Sequence, residues 1–209
     1  IDDIDQYVEA VMASPIKLGI EGDYVPGAEE QLEAMLGSRP FDFVVGSVHF
    51  LGDLSLDTED YTIWDGSQEP DEVWRRYFET LAAAARSGLF DILAHPDLVK
   101  VWGRAGRFPS VDPRQMYEPA IEAIAESGIA VEVSTAGLRK GVGEIYPAPA
   151  FMEMCVEAGA CFALSSDAHE PAQIGYRYPE ALEFLAAHGV GEIAVFEGRE
   201  RTLASLGKV

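Results

Sequence analysis

Apolar positions along this chain follow two alternating patterns. Ile4, Tyr7, Val8 and Val11 recur at i, i+3, i+4 and i+7, the stripe of a helix predicted over residues 1–13. Further helices are predicted over residues 28–36, from Pro70 to the stop at Gly88, over 113–127 closed by Gly128, near 148–158 closed by Gly159, and over 179–187. In the helix after Pro70, Val73, Trp74, Tyr77, Phe78 and Leu81 form the apolar side. Proline inside a helix start leaves no N–H unpaired, and glycine past the end takes up the left-handed turn. Between the helices lie short runs that are apolar almost throughout: 16–20, 41–48, 91–94, 129–133, the run opened by Cys161, and 192–196. Strands read this way when both faces are covered, as parallel strands are by their crossover helices. A short helix is predicted to end the chain.

Strand and helix alternate about six times, which fits either a (β/α) barrel or a doubly wound open sheet. No GxGxxG follows the first strand, so nothing supports a dinucleotide fold. No repeat of fixed period and no low-complexity linker divides the chain, so residues 1–209 are predicted to form a single α/β domain. The first helix has an apolar face with no strand before it to cover. A chain opening at Ile1 in this way is expected to start within a fold.

Hydrophobic residues make up 48% and charged residues 24%, an ordinary globular profile, but the net charge of −21 is unusual. Affinity for nucleic acid rests largely on Lys and Arg neutralising phosphates, so so acidic a chain is a poor partner for it. Neither an apolar run of about 18 residues nor a basic-then-apolar leader occurs; no membrane partner is predicted, and a cytoplasmic setting is the default. Cys155 and Cys161, without CxxC spacing, are expected to be buried free thiols.

Candidate chemistry lies where the strands end. Glu21 follows the strand 16–20, His49 follows 41–48, His95 follows 91–94, and Asp167 and His169 follow the Cys161 strand. Parallel strands of a barrel present their C-terminal ends to one face, so these five residues should converge. Singly, a histidine at a strand end is most often a satisfied partial-core residue, and a glutamate there a solvated loop acid. Together, three imidazoles and two carboxylates in equivalent places form a mixed N and O ligand set suited to Zn, Mn or Fe. His188, at a helix end, suits a structural cation. Arg139 and Lys140 after the strand 129–133, and Arg177 after the Asp167 loop, are candidate phosphate holders, because guanidinium donates in pairs. Lys100, Arg104 and Arg107 are either a further such group or a solvated surface patch.

The segments GIEGDYVPG, GSVHFLG, AHPDLVK, EVSTAGLRK with EIYPAP, and SSDAHEPAQIG occur in that order from about Leu18 to Gly175. They resemble the motifs of the histidinol-phosphate phosphatases of the polymerase-and-histidinol-phosphatase (PHP) superfamily. STAGLRK followed by EIYP distinguishes this branch from the polymerase-linked nucleases. The resemblance implies a distorted (β/α)7 barrel with a trinuclear metal centre. It makes Glu21 the bridging carboxylate, His49 and His95 its neighbours on one ion, Asp167 a ligand of a second ion and His169 of the third. It makes Arg139 a phosphate-holding arginine, with Arg177 as a second. The family's opening His-x-His and the next histidine are not in this sequence and are expected upstream of Ile1, so the barrel is expected to lack its first strands here. Crowding of Glu21 and Asp167 should then raise the pKa of one of them.

The implied reaction is hydrolysis of histidinol phosphate to histidinol and phosphate, in histidine biosynthesis. Water activated by the metal ions would attack phosphorus while Arg139 and Arg177 hold the dianion. No Ser or Cys nucleophile stands in an activating arrangement with a histidine. Two alternatives stay open: a metal-dependent nuclease of the same superfamily, which the charge of −21 disfavours, and an inactive metal-binding fragment.

Overall fold

The computed structural model describes residues 3–37, 39–103 and 107–207; Ile1 and Arg104 lie outside them. Helix α1 (Ile4–Met12) starts at Asp3, whose carboxylate accepts the Gln6 N–H at 3.0 Å and so caps the first turn. There follow β1 (Gly19–Asp23), α2 (Glu29–Leu36), β2 (Phe43–Ser47), the small hairpin β3 (Phe50–Leu51) and β4 (Leu54–Ser55), and α3 (Pro70–Arg86). Then come β5 (Ile92–Leu93), α4 (Pro113–Ser127), β6 (Ala130–Ser134), α5 (Pro149–Glu157), β7 (Phe162–Ser165), α6 (Tyr178–Ala187), β8 (Glu192–Glu197) and β9 (Glu200–Ser205).

The main sheet is parallel, in the order β1-β2-β5-β6-β7. Strands enter it in chain order with no reversal. A doubly wound sheet reverses at a switch point, and no such reversal occurs among the described residues. Alternate residues face opposite sides. Val44, Leu93, Val131 and Phe162 join Trp74, Tyr77 and Phe78 of α3, Tyr117 of α4 and Phe151 of α5 in the main core. Ile92, Ala130 and Ala163 form a second, smaller cluster with Ala194 of β8, and Phe43, Val45 and Phe196 pack on it. Glu21 and Glu132 share that inner side by strand parity.

Two sequence expectations are corrected at the C-terminal end. The strand predicted over 192–196 does not join the parallel sheet, and the predicted terminal helix is β9; β8 and β9 form an antiparallel hairpin. Its two-residue turn, Gly198-Arg199, has φ of 56° and 65°, the paired positive values that suit the twist of a hairpin. Asp42 accepts the Gly198 N–H at 3.0 Å, and Arg199 donates to Asp91 at 2.9 Å and to the Leu89 carbonyl at 2.8 Å. The turn is thereby tied to the N-terminal ends of β2 and β5. Cys155 is buried and Cys161 partly so, both free. Among the described residues no helix is long and apolar enough to cross a membrane.

Candidate metal centre

Because β1, β2, β5 and β7 run parallel, the residues that follow them emerge on one side. Glu21, His49, His95, Asp167 and His169 line a single cavity of about 330 Å³ there, and Lys140 lines it too. Within it the structure draws three of these closest. Glu21 Oε1 lies 3.5 Å from His95 Nε2 and 3.8 Å from His49 Nε2, and one donor atom from each residue falls within 4.8 Å of the others. Ligands bonded at about 2.1 Å around a tetrahedral ion stand about 3.4 Å apart. The spacing of this set therefore suits one divalent cation.

Hydrogen bonding around His49 supports the same fit. Asp23 Oδ1 meets His49 Nδ1 at 2.7 Å and also accepts the His49 backbone N–H and the Ser47 hydroxyl, both at 3.2 Å. With Nδ1–H donated to Asp23, Nε2 turns a lone pair toward the Glu21 carboxylate. Two acceptors facing each other call for a cation or a proton between them. A carboxylate holding the far nitrogen is also how ligating imidazoles are commonly oriented.

His95 is more constrained. It is buried, and its φ of 23° lies outside the regions ordinary residues favour, a strain on the order of 1–3 kcal/mol that surrounding bonds must hold in place. Its backbone N–H donates to Glu132 Oε2 at 2.6 Å, and its buried Nδ1 has no hydrogen-bond partner among the described residues. Burial disfavours charge on His95, yet its hydrogen bond to Glu21 and the charges of Glu132, Glu21 and Asp167 outweigh this and push its pKa up to about 9. Burial likewise works to raise Glu21 and Asp23, but the hydrogen bond and charge of His95, with the charge of His49, bring Glu21 down, and contacts with His49 bring Asp23 down. At Glu21 the imidazoles prevail over burial. Glu132 is raised, chiefly by burial.

Asp167 and His169 stand apart from this tight set. His169 Nε2 meets Asp167 Oδ1 at 3.1 Å, and His169 is largely exposed. Asp167 has φ of 44°, which a short polar side chain tolerates, and its N–H donates to Ser165 Oγ at 2.9 Å. Arg139 donates to the Ser166 and Asp167 carbonyls at 3.0 and 2.8 Å and lies over the Tyr176 ring, so in this structure it braces the loop that carries Asp167. Arg177 pairs with Glu180 and does not line the cavity. Lys100 belongs neither to a surface patch nor to the site. It is buried against the equally buried Asp97 at 2.9 Å, with Glu144 at 3.3 Å, because that carboxylate needs a cation beside it. Arg107 sits over the Trp102 ring. His188 Nδ1 meets the Phe184 carbonyl at 2.7 Å at the end of α6, the structural role expected of it.

Sequence reasoning passed over Asp23, Asp57 and Tyr146, which also line the cavity. Asp23 carries a usable signal, since it lies two residues beyond Glu21 on the same face of a strand. Asp57 arrives from a long loop whose path no local pattern reveals.

Comparison with known proteins places these residues in company. The sequence profile of the PHP domain matches residues 2–136. The "Probable histidinol-phosphatase" of Deinococcus radiodurans is 37% identical over 186 residues, 88% of this chain and 69% of that protein. The histidinol-phosphatase of Bacillus subtilis is 28% identical over 187 residues, covering 80% of this chain and 68% of its own length. A crystal structure of histidinol phosphate phosphatase from Lactococcus lactis, complexed with Zn, L-histidinol and phosphate, superposes with a TM-score of 0.73 at 20% identity, over 95% of this chain and 78% of that one. At that identity the likeness is one of fold.

Proposed function

The chain belongs to the PHP domain family, and from that membership we propose that it is a metal-dependent phosphomonoesterase acting on histidinol phosphate. The observation that carries the proposal is the close set of Glu21, His49 and His95 at the strand ends, with Asp23 orienting His49. The names of the Deinococcus and Bacillus relatives supply the substrate, and the Zn, histidinol and phosphate of the Lactococcus complex agree with it. The in-order parallel winding and the shared fold support the fuller architecture of a distorted (β/α)7 barrel.

Glu21, His49 and His95 would hold one ion, and Asp167 and His169 would contribute to further ions, up to three in all, with Zn, Mn or Fe suited to the N and O donors. Bound there, a divalent ion would offset charge on the phosphoryl oxygens and make water a nucleophile near neutral pH. The chain's own residues do the rest. Asp23 keeps Nε2 of His49 directed inward. Lys140 supplies positive charge at the cavity for the monoester dianion, and Arg139 holds the Asp167 loop and stands beside the site as a candidate phosphate donor. Arg177 would have to leave Glu180 to serve in that way. The reading carries a cytoplasmic setting and no nucleic-acid partner, in keeping with a charge of −21.

The test is turnover of histidinol phosphate against a dinucleotide, with Zn or Mn supplied, in the protein and in His49→Ala and His95→Ala. Monoester hydrolysis lost in both variants is the expected result. Preference for the dinucleotide would favour the nuclease, and full metal binding without any turnover would favour an inactive metal-binding protein.

A further inference from the structure

The geometry points to Glu132 as a positioning residue that fixes the His95 imidazole by holding the backbone of residue 95 from the neighbouring strand. Its consequence for metal rests on the reading above; its geometry does not. Glu132 lies within β6, on the inner face, with Ala130 before it on the same face and Ala163 opposite it in register. A buried carboxylate among such neighbours is costly unless it receives hydrogen bonds, and no Lys or Arg pairs with it among the described residues.

What it receives is the N–H of His95, at 2.6 Å in a fully buried bond. The ladder between β5 and β6 pairs Ile92 with Ala130 and Leu93 with Val131 and then stops, so the strand itself offers His95 no partner. Beyond that point the chain turns through φ of 23°, which sends the ring to within 3.5 Å of Glu21. Without an acceptor at that place, residue 95 can relax to an ordinary extended conformation, and the ring leaves Glu21. Ser165, two residues beyond Ala163 on the neighbouring strand β7, accepts the Asp167 N–H through its Oγ at 2.9 Å. Glu132 thus holds a strand end that bears a site residue, and on the inner face it lines a cavity of about 920 Å³ together with Glu21, Ser165 and Asp167.

Two variants separate position from charge. Glu132→Gln keeps an acceptor oxygen at the same reach without the charge, and Glu132→Asp keeps the charge but withdraws it by one methylene. Amide hydrogen exchange of His95 is followed by NMR in the metal-free protein, and zinc affinity by chelator competition. For Glu132→Asp we expect faster His95 exchange and about a 10–100-fold loss of zinc affinity, the usual consequence of losing a group that orients a ligand. Glu132→Gln should keep His95 protected and zinc affinity within about threefold of the parent. Asp behaving as the parent overturns the inference, as does Gln losing affinity while Asp keeps it. If the parent itself takes up no zinc, the metal reading fails, and the exchange data alone still decide whether Glu132 holds His95.

Discussion

His95 is the residue on which the site depends most, because burial, a left-handed backbone and several carboxylates act on it together. Its folded pKa of about 9 exceeds the ordinary value of 6.5. In the metal-free protein its contribution to stability is therefore complete below about pH 6.5 and lost as pH rises through about 9. A metal ion must displace that proton. Zinc affinity should then rise about tenfold per pH unit between pH 6.5 and 9, which chelator competition measures and which a flat profile would contradict. Asp23 gives a second prediction at this scale. Asp23→Asn offers His49 an amide that can donate, which invites the tautomer with its proton on Nε2, where the ion should bind. Zinc affinity should fall about 10–100-fold with the fold intact by circular dichroism; unchanged affinity would remove Asp23 from the centre.

At the scale of elements, the parallel strands and their helices are legible because covering both faces of a strand writes a short apolar run into the sequence. The strand-end residues follow from the same fact, since parallel strands all deliver their C-terminal ends to one side. The C-terminal hairpin is legible only in part. Ile193, Ala194, Val195 and Phe196 read like another buried parallel strand, whereas β9, Glu200–Ser205, is largely exposed and has no apolar run to announce it. Gly198-Arg199 is the local signal that was there to use. Lys100 was misjudged for a different reason: its partner Glu144 is remote in sequence, and nothing local says that Asp97 is buried. That ion pair ties the turn after His95 to the loop before α5, where Asp97 also accepts the Ala148 N–H at 2.8 Å. Lys100→Met should lower stability to urea by about 3–5 kcal/mol, because it strands a buried carboxylate. A change below about 1 kcal/mol would mean that Asp97 is protonated, as burial already inclines it to be.

For the molecule as a whole, the winding of one parallel sheet brings to a single cavity residues from Glu21 to His169 that no local pattern joins. Their types and their strand-end places were legible; their grouping into a tight set of Glu21, His49 and His95, with Asp167 and His169 further out, was not, because it depends on side-chain reach across strands. The charge of −21 gives the surroundings of that cavity a general attraction for cations, but among the described residues the close set is the one group of three donors at a spacing that suits an ion. Anomalous diffraction at the zinc edge, from crystals of the zinc-loaded protein, tests this claim most directly. The account predicts a peak about 2.0–2.2 Å from Glu21 Oε1, His49 Nε2 and His95 Nε2. Zinc bound elsewhere, with no peak among those three atoms, would contradict it.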